Sequence, residues 1–89
     1  MNPETLKLFR TNILLQLRAA GTLGLTSNEL VVGAKSQGFA DIDRETVEEE
    51  LAYLSDKKHV EKLPKEISPE VESFRVTAAG RDYLAINRL

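Results

Sequence analysis

The chain has 89 residues, 42% of them hydrophobic and 29% charged, and a net charge of −2 at neutral pH, which bounds it to one small domain with a single modest core. With no cysteine and a single histidine, it excludes disulfides, thiolate metal sites, cysteine nucleophiles and paired-imidazole zinc sites. The slight acidic balance gives no long-range pull towards nucleic acid or an anionic membrane, so any such binding has to be local.

Asn2 before Pro3 marks a helix start, because asparagine caps free amides and proline at the first helical position loses nothing by lacking one. The predicted helix covers residues 3–20, and Gly21 stops it. Leu6, Phe9, Ile13, Leu17 and Ala20 share one face at helical spacing and are expected in the core. Leu8, Leu15 and Ala19 form a second apolar stripe that needs a cover, either the last helix or a second copy of the chain. Residues 22–25 have room only for a bridge strand. Thr26-Ser27-Asn28-Glu29 is a capping box that opens a second helix, with Leu30, Val31 and Ala34 inward and Gly38 at its end.

A third helix is predicted over residues 44–58, capped by Asp43 and stapled by Ile42 against Val47. Val47, Leu51 and Leu54 form its inner face. The period then changes. Residues 59–63 and 72–76 read as paired strands, with Phe74 and Val76 alternating with Arg75. Residues 64–71, which include Pro64 and Pro69, suit an exposed ribbon tip. Thr77 caps a last helix of about residues 78–88, whose Tyr83, Leu84, Ile86 and Leu89 spread too widely for one narrow stripe.

Two stretches carry a family resemblance. Thr26-Ser27-Asn28-Glu29-Leu30, then Arg44, Thr46-Val47, Leu51, Leu54 and Val60, resemble the helix-turn-helix and first wing strand of bacterial winged-helix regulators. The run from Val76-Thr77-Ala78-Ala79-Gly80 to Arg81-Asp82-Tyr83-Leu84 is similar to the wing exit and final helix of the MarR and PadR groups. The likeness covers nearly the whole chain, and its residues cap, turn and pack. It implies an α+β, mainly helical fold: a three-helix core, a two-stranded β-wing at about 59–76 and a C-terminal helix. It also implies that residues 44–58 are the recognition helix and that dimers form through terminal helices. The connection over residues 38–43 is longer than the usual tight turn and marks a variant of that pattern.

Charge complicates the implied function. The third helix carries Glu45, Glu48, Glu49 and Glu50, whereas most DNA affinity comes from cations that neutralise phosphates. Arg44, Glu45, Glu48, Ala52 and Ser55 are expected to point outward, with Glu49 at the flank. Candidate nucleic-acid contacts are Arg44, Lys57, Lys58, Lys62, Lys65 and Arg75, interleaved with Glu61, Glu66, Glu70 and Glu72. Candidate protein-interface residues are Leu8, Leu15, Ala19, Glu45, Glu48 and Glu49. A solvated helix face, acidic near its start because that favours the helix dipole, explains the glutamates equally well.

Catalysis has little support. The serines lack a base with an orienting partner, and Gly33-Ala34-Lys35-Ser36 lacks the glycines of a phosphate loop. The expectation is a binding module without cofactor or metal, either a DNA-binding transcriptional regulator or a protein-interaction module. No apolar run approaches the roughly 18 residues needed to span a membrane, and Glu4 and Lys7 interrupt any leader pattern. A cytoplasmic home is the simplest expectation.

Overall fold

The computed structural model describes residues 1–64 and 72–89, and these form an α+β, mainly helical fold. In chain order come α1 (Pro3–Ala20), a 3-10 turn (Gly21–Leu23), β1 (Leu25–Thr26), α2 (Ser27–Ser36) and α3 (Arg44–Asp56). Then follow β2 (Val60–Lys62), β3 (Ser73–Val76) and α4 (Ala78–Ile86). No helix among the described residues is long and apolar enough to cross a membrane.

Each helix starts where a side chain takes over an orphan amide. Asn2 Oδ1 accepts the Thr5 amide at 2.8 Å, Asp43 Oδ1 the Thr46 amide at 2.8 Å, and Thr77 Oγ1 the Gly80 amide at 3.1 Å. The capping box is reciprocal: Thr26 Oγ1 accepts from the Glu29 amide at 3.2 Å, and the Glu29 carboxylate accepts from the Thr26 amide at 2.9 Å. The ends of α2, α3 and α4 share another device, in which a left-handed residue lets two amides turn back onto the last carbonyls. After α3, Lys58 at φ +65° donates to Ser55 O and His59 to Leu54 O, both at 2.9 Å. Gly38 and Arg88 serve the same way after α2 and α4. Therefore α3 ends at Asp56 and not at residue 58 as the sequence suggests, and Lys57 and Lys58 belong to its closing turn.

The core is built around α1, which packs against α2, β3 and α4. Phe9, Ile13 and Leu17 are buried as their spacing requires, and Leu14 is buried with them. Covering α1 on several sides widens its buried arc beyond the expected stripe. Leu6 and Ala20 are consequently half-buried at its margin. Leu15, from the second stripe, packs partly against this chain's own core, while Leu8 and Ala19 stay exposed. Leu30, Ala34, Val47, Leu51, Leu54 and Leu84 complete the helical share of the core, with Val60, Phe74 and Val76 from the sheet. The long connection between α2 and α3 is anchored: Ile42 is buried, and Phe39 meets Phe9 with ring centroids 5.3 Å apart.

The sheet differs from the expected two-stranded ribbon. Its order is β1-β3-β2, antiparallel throughout, with Leu25 opposite Phe74 and Val60 opposite Val76. The bridge strand is Leu25–Thr26, because residues 21–23 take the 3-10 turn. Gly24 makes this approach possible. It lies at φ +69°, and a Cβ there would collide with the Phe74 carbonyl.

Candidate binding cleft beside the hairpin

Helical periodicity puts α3 between two environments. Its Val47–Leu51–Leu54 face is buried, so Arg44, Glu48, Ala52 and Ser55 turn the other way, towards the start of α2 and the β2–β3 hairpin. There they line a cleft of about 710 Å³. Thr26, Ser27 and Asn28 form its second wall, and Lys62, Glu72 and Phe74 its third. Leu51 and Phe74 are the buried apolar residues of the lining.

The charges of the cleft come in pairs. Arg44 Nε lies 2.8 Å from Glu48 Oε1, one helical turn away, and Lys62 Nζ lies 3.4 Å from Glu72 Oε2 across the hairpin. Side-chain exposures of 65% and 48% for the first pair and 61% and 40% for the second leave both accessible to solvent. Asp56 adds a carboxylate at the carboxyl end of α3. Asp43, at the opposite end of α3, is held below the usual carboxylate range by hydrogen bonds from the Thr46 side chain and backbone.

The other sequence candidates are distributed around this cleft. Arg75 pairs with Glu61, the residue opposite it in the strand register. Lys57 lies with Nζ 5.8 Å from the centre of the Tyr53 ring, and Lys58 is exposed in the turn after α3. Lys65 lies outside the described residues, as does most of the expected ribbon tip. Glu45 and Glu49 are exposed, with no ion-pair partner among the described residues. A second recess of about 420 Å³, between the 3-10 turn, the sheet and the start of α4, holds Arg75 and Arg81. Arg81 was not among the sequence candidates.

Glu50 does not join the acidic surface that the sequence suggests for α3. It is buried, and its Oε1 accepts from Arg10 Nε of α1 at 2.6 Å. The Arg10 guanidinium carbon also lies 3.7 Å from the Tyr53 ring centre, a cation–π geometry. The signal for this contact was in the spacing. Arg10 precedes Ile13, Leu14 and Leu17 at core intervals, and Glu50 falls likewise between Val47 and Leu54.

No protein-family model matches this chain, and no curated protein sequence matches it.

Proposed function

We propose that the chain is a winged helix-turn-helix domain of the DNA-binding transcriptional regulator type. The observation that carries this reading is the β1-β3-β2 order, with β1 placed between α1 and α2. That order sets α2 and α3 beside one hairpin, as a helix pair beside a wing. The resulting cleft has Arg44 and Lys62 on separate walls and Ser27 and Asn28 at a helix start, chemistry suited to phosphate oxygens. In this reading α3 is the recognition helix, Lys57, Lys58 and Lys62 track the phosphate backbone beside it, and Lys65 and Arg75 are further candidate phosphate contacts. The domain uses no cofactor, catalyses no reaction and works in the cytoplasm. Leu8 and Ala19 on α1, Ile86 at the end of α4 and Leu89 beyond it are exposed apolar residues available to a homodimer.

A second reading, a protein-interaction module, is favoured by a specific observation. Arg44 and Lys62 already hold carboxylates, and Glu45 and Glu49 extend the acidic surface of α3. A titration of the labelled protein with a random-sequence duplex at low salt, followed by amide NMR, separates the two. The DNA reading expects shifts at Arg44, Ser27 and the hairpin that fade as salt is raised. An unchanged spectrum at duplex saturation levels of the titration rejects it in favour of the protein module.

A further inference from the structure

Resting on the duplex-DNA reading, we infer that Glu48 and Glu72 are built-in competitors for phosphate: each occupies a cleft cation that the nucleic acid must take over, and so limits non-specific binding. Both pairs line the same cleft, and they come from independent elements. One is a turn of α3; the other joins the two sides of the hairpin. A carboxylate and a phosphate oxygen satisfy a guanidinium or ammonium donor by the same charge-assisted hydrogen bond. Each cation is therefore already held by an anion of the kind it would have to meet on DNA. The pairs are also weak enough to be displaced, because exposed pairs gain little in water and are screened by salt.

The arrangement has a selective consequence. A duplex offering only scattered phosphate contacts displaces the carboxylates poorly, since each exchange returns one ion pair for another. A site that adds base contacts along α3 has surplus free energy and opens the cleft. Glu48 and Glu72 thereby set a threshold that phosphate contacts alone meet poorly, and they are not base readers. Arg75 and Glu61 repeat the motif on the adjoining strands, but outside the cleft, and carry none of the argument.

The test separates paired carboxylates from charge alone. Binding of a fluorescent random-sequence duplex is measured at low salt for the parent chain, for Glu48→Gln with Glu72→Gln, and for Glu45→Gln with Glu49→Gln. The two double variants change net charge equally. The expected result is a gain of about tenfold for the cleft variant and a smaller gain for the control. In parallel, the Arg44 side-chain Nε resonance should move on DNA addition in the parent and already be displaced in Glu48→Gln without DNA. Equal gains in the two double variants overturn the competitor role while leaving DNA binding intact. Absence of duplex binding by all three proteins, each folded by its amide spectrum, overturns the DNA reading as well.

Discussion

Two arginine–glutamate pairs use the same chemistry on opposite sides of α3, and their surroundings give them different work. On the inner side, Arg10 and Glu50 meet at 2.6 Å with side-chain exposures of 28% and 12%, bridging α1 and α3. On the cleft side, Arg44 and Glu48 meet at 2.8 Å within one helix, and both remain largely in water. Partial burial strengthens the first pair's attraction and also makes it costly to break, since a lone buried carboxylate or guanidinium has no water to turn to. The second pair can dissolve into solvent or onto a ligand at little cost. The comparison therefore assigns stability to the inner pair and exchange to the outer one.

The largest expected effect breaks the inner pair. Glu50→Ala should lower unfolding free energy by about 2 kcal/mol, less than a fully buried pair because Arg10 keeps some solvent and its place over Tyr53. That corresponds to a fall of roughly 8–16 °C in Tm for a domain of this size. The sharper measurement is a pair of double-mutant cycles by urea unfolding. Coupling between Arg10 and Glu50 should exceed about 1 kcal/mol, whereas that between Arg44 and Glu48 should stay near the 0.3–0.5 kcal/mol of exposed helix pairs. Similar coupling in both cycles would remove the distinction.

What was legible in the sequence was mostly local. Asn2, Thr26, Asp43 and Thr77 each cap an amide three residues ahead, so their signals lie within one helical turn. The inward face of α3 followed from Val47, Leu51 and Leu54 for the same reason. What escaped depends on partners distant along the chain. The bridge strand was expected, but its place as a third strand was not, because that depends on Phe74 lying opposite Leu25, and two residues carry no pairing pattern of their own. Leu14 is buried because α1 is covered from several directions, which its own periodicity cannot express. Arg10, Glu50 and Phe39 lie in or beside the core, yet a charge or a place in a connection gives each the local signature of a surface residue. The cleft was legible as an outward face of α3, while the pairing of Lys62 with Glu72 needed the hairpin register.

The turn between α3 and β2 offers a smaller effect that separates stability from binding. Lys58 holds φ +65°, a left-handed conformation that costs an ordinary L-residue about 1 kcal/mol and glycine almost nothing. Lys58→Gly also loses a cation near a helix carboxyl end and gains backbone freedom when unfolded. The balance should be a stabilisation of about 0.5 kcal/mol, or roughly 2–4 °C in Tm. Under the DNA reading, the same change should weaken duplex binding and reduce its salt dependence. A more stable protein that binds less well would place Lys58 among the outer, ligand-facing charges; loss of stability would mean that its side chain supports the turn.

The smallest effect concerns the pH dependence of the α3 cap, where a charge acts chiefly through hydrogen bonds and only last through an opposite charge, that of Lys35. Hydrogen bonds from Thr46, first from its side chain and then from its backbone, hold the Asp43 carboxyl below its ordinary value of 3.8. A carboxyl depressed in the folded state binds protons more readily when unfolded, so its stabilising contribution is complete above the unfolded value. It is lost as pH falls through the folded one. Asp43→Asn keeps a neutral cap but removes this linkage. The advantage of the parent over Asp43→Asn should therefore be constant from neutral pH down to about pH 5 and shrink on approach to about pH 3. Urea midpoints of the two proteins across that range check the sign. Asp43→Ala, which removes the hydrogen-bond acceptor itself, should remain less stable than Asp43→Asn at every pH, because the Thr46 amide then loses its side-chain cap whatever the charge. A parent advantage that grows on acidification would mean that the cap acts in its protonated form, and α3 would then owe its start to a different interaction.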